Sequence, residues 1–313
     1  MRIKALTVVT LIALAVVLLV AVLGTVETRR RIQELESRSQ VLATRHGSLE
    51  YREWGEGPPV VVIHGAGGGF DQGELLARAM GGEGFRWISV SRFGYLRSDL
   101  PRDASVQAQA EALVELLNAL GITQAAVLAM SGGVPPALKL AEQFAERTGP
   151  LVLLSSAPFT PLGGDIQDRP VPTWVYSALL GNDVVYWLLT RIARNTLAEA
   201  FDATADLRAD LPLSEQQFVD GLIDGFLPAS RRLPGVRNEG AAVDPTIHYD
   251  LGAVRSAVLV VHARDDRLNP FAIGTAIANG IPGARMIAYE RGGHLLLGHH
   301  EALAGEVAAF LHR

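Results

Sequence analysis

The chain has 313 residues, of which 49% are hydrophobic and 19% are charged, and this composition excludes a disordered protein. Its length allows one large domain with an insertion or two modest domains. The formal net charge is -5 and the Lys and Arg residues are scattered, which argues against nucleic acid as the main partner and favours a small-molecule substrate. Because the chain has no cysteine, disulfides, thiolate nucleophiles and cysteine-ligated zinc are excluded.

The first thirty residues differ from the rest of the chain. The stretch from Ala5 to Val26 has 22 residues without a charge, enough at about 1.5 Å per residue to cross about 30 Å of hydrocarbon. We therefore expect an uncleaved membrane anchor at 1–30 and a charged stalk at 31–40. One alternative is a cleaved signal peptide, but the apolar stretch is longer than is usual for such a peptide. The other is a buried core helix, which is disfavoured because the stretch is apolar on every face. Arginines are more numerous after the span, which weakly favours a cytoplasmic body and leaves the side of the membrane open.

Beyond the stalk, short apolar runs alternate with helical patterns. Residues 41–54 alternate around a His46-Gly47 turn and predict a β-hairpin. Further strands are predicted at 60–64, 87–91, 125–129, 151–156, 258–262 and 285–289, and helices at 71–80, 105–120 and from about residue 133. The alternation lapses between about 158 and 250, where helical stretches at 184–201 and 214–227 predict an inserted cap. The pattern indicates an α/β fold at 41–313, with a mostly parallel, doubly wound sheet, a helical cap and a final amphipathic helix.

A serine lies where the predicted strand at 125–129 turns into a helix. The local sequence is Ala129-Met130-Ser131-Gly132-Gly133. A sharp strand-to-helix turn requires small residues two positions to either side of its central residue, and it exposes that residue above the helix N-terminus. The pattern predicts Ser131 as a nucleophile, although Ala129 replaces the more common first glycine. The alternative is that Ser131 only caps the helix, so its partners must decide.

Two later strands end in residues that could complete a catalytic triad. Asp266 follows the strand at 258–262, and His294 follows the strand at 285–289. The chain order Ser, Asp, His, with each residue after a separate strand, is one of the orders found in serine hydrolases. Asp265 is a rival for the acid, because its position also follows the strand. The histidines at 299 and 300 do not complete a metal-binding motif, and we expect them at the surface.

A glycine-rich segment, HGAGGGFDQG at 64–73, follows the predicted strand at 60–64. A serine nucleophile needs backbone N–H groups that stabilise an oxyanion, and we expect those of Ala66 and Gly132 to do so. The segment does not fit a dinucleotide-binding loop, because Phe70 stands where a glycine is required, and it lacks the G-K-[ST] of a P-loop. We therefore expect neither a cofactor nor a metal.

Five segments resemble the α/β-hydrolase superfamily, and together they cover nearly all of 41–313. They are HGAGGG at 64, SRFGYLRS at 91, AMSGGV at 129, HARDDRLNP at 262 and GGHLLLGH at 292. The chain looks most like bacterial esterases, lactonases and meta-cleavage-product hydrolases, in which the second Asp of the acid loop is the catalytic one. The resemblance therefore implies Asp266 as the acid, a serine esterase mechanism, and a bacterial inner membrane for the anchor.

The resemblance does not define the substrate. The carbon–carbon hydrolases of the family usually have Asn before the nucleophile and Trp after the histidine, where this chain has Met130 and Leu295, so hydrolysis of an ester or related acyl bond is favoured. Ser131 excludes dehalogenase and epoxide hydrolase chemistry, which uses an Asp nucleophile. Acyl transfer and a non-catalytic, membrane-tethered binding role stay open, as does the oligomeric state. Aromatic residues in the cap could wall an apolar pocket or only pack the cap: Trp174, Tyr176, Tyr186, Trp187 and Phe226.

Overall fold

The computed structural model describes residues 2–157, 181–239 and 247–312, with side chains from residue 6 onwards. Its centre is an eight-stranded sheet in the order β1-β2-β4-β3-β5-β6-β7-β8. The hairpin β1-β2 and the pair β2-β4 are antiparallel, and every other pair is parallel. The strands are β1 Gln40–Thr44, β2 Gly47–Trp54, β3 Pro59–Ile63, β4 Arg86–Val90, β5 Ala125–Met130, β6 Thr148–Leu154, β7 Val258–Ala263 and β8 Arg285–Tyr289. The predicted hairpin and the mostly parallel sheet are therefore confirmed.

Helices cover both faces of this sheet. One face packs against α3 Val106–Ala119, α4 Val134–Gln143 and α10 Phe271–Gly280, and the other against α2 Phe70–Leu76 and α11 His300–Leu311. Each face has its own apolar core, because the central parallel strands present buried side chains in both directions. The doubly wound arrangement is confirmed, and it brings the carboxyl ends of β3, β5, β7 and β8 to one edge.

The predicted cap region holds helices in its described part. They are α5 Asp183–Ile192, α6 Arg194–Ala200, α7 Ala205–Arg208, α8 Leu213–Gly225 and α9 Leu233–Asn238. The stretch 184–201, expected as one helix, is divided at Ala193, where the backbone leaves the helical region. Tyr186 packs on Phe226 with ring centroids 5.1 Å apart, and its hydroxyl donates to the carbonyl of Ile223. Trp174 and Tyr176 lie outside the described residues.

The N-terminal segment forms one continuous helix, α1, from Arg2 to Arg38. Its apolar half is exposed, with a mean hydropathy of 3.1 and none of that window buried, so it is a candidate membrane span by length and composition. Its second half packs on the rest of the chain, because Gly24, Thr28 and Leu35 recur on one buried stripe. Residues 31–38 of the expected stalk continue this helix, and Gln40 already begins β1.

Candidate active site

The three predicted catalytic residues follow three strands that end at the same edge of the sheet. Ser131 follows β5, Asp266 lies in the loop after β7, and His294 lies in the loop after β8. Because parallel strands present their carboxyl ends together, residues distant in sequence meet here. The edge also receives the glycine-rich loop after β3, so that all the predicted components come from neighbouring loops.

Ser131 occupies a strained turn. Its φ is +52°, a left-handed conformation that a residue with a Cβ rarely adopts. Met130 before it is extended, and a short 3-10 turn over Ser131–Gly133 leads into α4. A Cβ on Gly133 would lie 2.3 Å from the carbonyl oxygen of Ile63 and 2.7 Å from that of His64, which explains why the position takes glycine. The residue at the N-cap of α4 is Gly133, and no side chain caps this helix, so the interpretation of Ser131 as a helix cap is wrong.

The hydroxyl of Ser131 accepts a hydrogen bond from Asn269, at 3.2 Å from Nδ2. The same amide nitrogen donates to the backbone carbonyl of Ser155 at 2.9 Å, and the backbone carbonyl of Asn269 accepts from Nε2 of His262 at 2.8 Å. Among the described residues, no hydrogen bond joins Ser131 to His294. In this conformation Oγ of Ser131 is bound to the side chain of Asn269.

Asp266 is the carboxylate that contacts His294. Nδ1 of His294 donates to Oδ2 of Asp266 at 2.9 Å, and Nε2 of His262 lies 3.2 Å from the same oxygen. The other oxygen accepts the N–H groups of Leu268 and Asn269 at 2.9 and 2.8 Å. With Nδ1 protonated, a neutral His294 has a free lone pair on Nε2, which is the tautomer that a general base requires.

The rival carboxylate has a different role. Asp265 accepts the backbone N–H groups of Gly293 at 2.9 Å and of Gly292 at 3.3 Å, so it fixes the loop that carries His294 without touching the imidazole. Spacing alone did not decide which of Asp265 and Asp266 contacts the histidine. Adjacent residues in a loop point in different directions, and the sequence does not give those directions. The geometry therefore agrees with the resemblance in favouring Asp266.

The electrostatics of the Asp266–His294 pair favour an ionised acid and a basic imidazole. Burial alone would raise the pKa of Asp266, but the nearby His294 and the hydrogen bonds from His262, His294 and the Asn269 N–H outweigh burial and hold this pKa well below its usual range. Burial would lower the pKa of His294, but the carboxylates of Asp266 and Asp202 outweigh it and raise this pKa above its ordinary value. The pair thus favours an ionised Asp266 carboxylate beside a His294 imidazole that is more basic than usual.

Asp202 of the cap region holds the histidine loop from the other side. This residue is buried, and its Oδ2 accepts the N–H of His294 at 2.8 Å and that of Arg267 at 3.1 Å. Its second oxygen accepts from Nε of Arg267 at 2.6 Å. Sequence reasoning missed both Asp202 and Asn269. For Asn269 the available signal was its place three residues after Asp266, and for Asp202 no local pattern exists.

The glycine-rich loop lies against the serine. A Cβ on Gly65 would lie 3.1 Å from the Cβ of Ser131, so the loop passes directly beside the nucleophile position. The next residue, Ala66, is exposed in a turn, and its N–H makes no hydrogen bond within the described part of the chain. The N–H of Ala66 is therefore available to a bound oxyanion. The ring of Phe226 covers Gly67, where a Cβ would lie 2.2 Å from Cε2, and this cap residue thus reaches the loop.

Two buried arginines fasten the cap to this part of the molecule. Arg232, 0% exposed, binds Asp71 in a bidentate ion pair at 3.1 and 2.8 Å and donates to the carbonyl of Gly68 at 2.7 Å. Arg92 pairs with Glu239, whose carboxylate also accepts from the hydroxyl of Tyr95. A Cβ on Gly132, our second predicted oxyanion donor, would meet Glu239 Oε2 at 2.5 Å, so this cluster borders the serine turn.

The prediction that His299 and His300 lie at the surface is wrong for His300. His300 is 4% exposed, and its Nε2 donates to the carbonyl of Leu295 at 2.9 Å. It begins α11 and packs edge-on against Phe218 of α8, at 4.6 Å between ring centroids. His299 is partly exposed and stacks on Tyr289. Among the residues that the structure describes, no group of three His, Asp or Glu side chains could hold a metal ion.

Comparisons with known proteins agree with this architecture. The 2-hydroxymuconate semialdehyde hydrolase of Pseudomonas putida is 27% identical over 285 residues, which cover 89% of this chain and 95% of that one. An alpha/beta hydrolase fold protein from Nakamurella multipartita superposes with a TM-score of 0.73 at 25% identity, covering 87% of this chain and 98% of that chain. The enol-lactonase from Burkholderia xenovorans superposes with a TM-score of 0.64 at 19% identity, covering 88% and 100%. The family model for the alpha/beta hydrolase fold matches residues 58–301, and the chain therefore belongs to the α/β-hydrolase family.

Proposed function

We propose that this α/β-hydrolase cleaves a carboxylic ester or a related acyl bond, with Ser131 as nucleophile, His294 as general base and Asp266 as the acid that orients it. The observation that carries the proposal is the 2.9 Å bond from Nδ1 of His294 to the buried carboxylate of Asp266. Asn269 links this pair to the nucleophile, because its backbone N–H binds Asp266 and its side chain binds Ser131.

In the proposed reaction, the hydroxyl of Ser131 turns from Asn269 towards His294, and Nε2 takes its proton as Oγ attacks the substrate carbonyl. The N–H groups of Ala66 and Gly132 stabilise the oxyanion. The tetrahedral intermediate collapses when the protonated His294 gives its proton to the leaving oxygen, which leaves an acyl-serine. Water then attacks the acyl group, His294 accepts a proton from it, and Ser131 is regenerated with release of the carboxylic acid.

Cleavage of a carbon–carbon bond is the second candidate, and the relatives support it. The curated proteins that this chain resembles include the hydrolase of 2-hydroxymuconate semialdehyde. Against it, Met130 and Leu295 stand where the carbon–carbon hydrolases of the family usually have Asn and Trp, and both side chains are buried in the apolar core. Met130 and Leu295 therefore favour the acyl reaction.

A substrate panel tests the two candidates. The full chain is assayed with p-nitrophenyl esters and lactones of graded chain length and with 2-hydroxymuconate semialdehyde, and Ser131→Ala is the control. We expect ester or lactone turnover that Ser131→Ala lowers by about 10³-fold or more. Turnover of the semialdehyde alone would replace the ester proposal, and product formation only when an alcohol is added would indicate acyl transfer. No turnover of any compound, with no reaction of Ser131 with a fluorophosphonate, would favour a binding protein.

We further propose that the apolar half of α1 anchors the enzyme in a membrane, with the hydrolase domain on the cytoplasmic side. The exposed apolar surface of Leu6–Val26 supports the anchor, and the excess of arginine after this stretch supports the orientation. Because the chain has no cysteine, Arg264→Cys would provide a single thiol at an exposed position of the domain. We expect a membrane-impermeant maleimide to label this thiol only after cells are lysed. Labelling in intact spheroplasts would instead place the hydrolase domain on the outer side of the membrane.

A further inference from the structure

A second histidine contacts the acid of the candidate triad. His262 lies on β7, and its side chain is fully buried. Nε2 of its ring lies 3.2 Å from Oδ2 of Asp266, the same oxygen that accepts from Nδ1 of His294. Among the described residues, Asp266 is the one carboxylate in contact with the ring nitrogens of His262. The proposed acyl reaction gives this histidine no step, so its place beside the acid requires a separate explanation.

The surroundings of the His262 ring fix the position of its proton. Nε2 lies 2.8 Å from the backbone carbonyl of Asn269, and a carbonyl oxygen can only accept a hydrogen bond. Nε2 therefore carries the proton and donates it. On the other side of the ring, Nδ1 is buried and makes no hydrogen bond within the part of the chain that the structure describes. A proton on Nδ1 would thus lack an acceptor.

Packing against α10 leaves no room for an acceptor between Nδ1 and that helix. A Cβ on Gly274 would lie 2.7 Å from Nδ1 of His262 and 3.1 Å from its Cβ, so the helix backbone passes directly over this side of the ring. Phe271 of the same helix contacts the ring edge-on, with 6.0 Å between the ring centroids. A protonated imidazole would have a buried N–H group without an acceptor, which costs free energy. The geometry therefore favours a neutral His262 that donates through Nε2.

Oδ2 of Asp266 links the two histidines. It has Nδ1 of His294 at 2.9 Å and Nε2 of His262 at 3.2 Å. Burial would raise the pKa of Asp266, and both imidazoles act against burial and lower it. A donor that stabilises the carboxylate leaves less of its charge to stabilise a protonated His294. With His262 in place, His294 should therefore lose its proton more readily than it would beside Asp266 alone.

Three carboxylates from two parts of the chain lie around the His294 loop. Asp266 binds the ring of His294. Asp202 of the cap region, which is paired with Arg267, accepts the backbone N–H of His294. Asp265 accepts backbone N–H groups of the same loop. Burial would lower the pKa of His294, but Asp266 and Asp202 raise it above its ordinary value. A general base whose pKa rises far above the working pH stays protonated, so a donor on Asp266 that limits this rise keeps the base available.

We propose that His262 is a positioning residue that limits how strongly Asp266 holds the protonated form of His294. Its N–H is shared by Oδ2 of Asp266 and the backbone carbonyl of Asn269. Through Asn269, the same N–H also fixes the residue whose side chain binds Ser131. The kinetic consequence rests on the proposed hydrolysis, whereas the titration of His294 can be measured without any substrate.

The variants His262→Gln and His262→Met, which have side chains of equal length, test the proposal. The amide of glutamine can still donate near the position of Nε2, whereas methionine fills the space without a donor. The full chain, with its histidines labelled with ¹⁵N, is titrated by NMR, and each ring is assigned by its loss when that histidine is replaced. We expect the titration midpoint of His294 to rise by about half a pH unit or more in His262→Met and to stay close to that of the unchanged chain in His262→Gln. The acid limb of kcat/KM for an ester substrate should move to higher pH by the same amount.

An unchanged or lower midpoint in His262→Met would overturn the proposal, as would an equal rise in His262→Gln, because the donor would then have no effect of its own. His262→Met leaves the Asn269 carbonyl without its donor and could unfold the chain, so the unchanged chain provides a second test. Its spectrum should show the proton of His262 on Nε2, and this N–H resonance should shift with the midpoint of His294. A proton on Nδ1, or a resonance that does not follow His294, would contradict the proposal by itself. Fluorophosphonate labelling of Ser131 in the same samples separates failure of this proposal from failure of the proposed hydrolase function.

Discussion

The change Asp266→Asn tests the role of the acid most sharply, because the structure dictates how the new side chain must orient. Oδ1 of Asp266 accepts two backbone N–H groups, from Leu268 and Asn269, so the amide oxygen of asparagine will take this place. The amide NH₂ group then occupies the position of Oδ2 and faces Nδ1 of His294. It donates to Nδ1 and stabilises the tautomer with the proton on Nε2, which cannot accept the proton of Ser131.

The expected loss follows from that tautomer. In a serine protease triad, the same isosteric change lowers kcat by about 10⁴-fold with the geometry intact, which corresponds to about 5 kcal/mol in the barrier. The assay is hydrolysis of the best p-nitrophenyl ester, with folding checked by circular dichroism. Asp265→Asn is the matched control, since its amide oxygen can still accept the N–H groups of the histidine loop, and we expect less than about a tenfold effect. Equal losses in the two variants, or an Asp266→Asn enzyme with a tenth of the original rate, would refute this role of the acid.

Three further predictions concern pH, the serine turn and the cap. The raised pKa of His294 predicts that kcat/KM falls as the pH drops through a value above about 6.5, because protonation removes the base; a rate independent of pH down to about 5 would contradict this. Gly133→Ala places a methyl group against the backbone after β3, and we expect loss of folded protein in thermal melts, whereas Gly305→Ala, with open space in helix α11, should melt no lower than the unchanged chain. Arg232→Met leaves Asp71 buried with only its partner from α1, so unfolding in urea should show a loss of about 3 kcal/mol or more, and a loss below about 1 kcal/mol would be inconsistent with the ion pair described.

Local patterns were sufficient to predict the three main residues of the candidate site. Ser131 lies in a turn whose small neighbours are visible in the sequence, and Asp266 and His294 each follow a strand that the apolar runs reveal. Strand ends in a parallel sheet meet at one edge, so the order along the chain was enough to bring them together. The direction of a side chain within a loop cannot be obtained from the order along the chain. Independently of the family resemblance, the geometry of the structure showed that Asp266, and not Asp265, contacts His294.

The residues that sequence reasoning missed act across long distances in the chain. Asp202 binds the histidine loop from the cap, and Arg232 binds a carboxylate beside the glycine-rich loop, with no periodicity to indicate either contact. His300 was expected at the surface because it completes no metal-binding motif, but a hydrogen bond to a backbone carbonyl compensates its burial. The docking of α1 was also hidden, since Gly24 lies within an apolar stretch whose composition indicates only a membrane span.

Reaction with a fluorophosphonate probe tests the central claim most directly, because it requires the activated serine and no knowledge of the substrate. The full chain is labelled in the folded state, digested and analysed by mass spectrometry, with Ser131→Ala and heat-unfolded protein as controls. We predict a single phosphonylated peptide that contains Ser131, and no adduct in either control. A folded chain that remains unlabelled, or an adduct on a different residue that persists in Ser131→Ala, would contradict the assignment of Ser131 as the nucleophile.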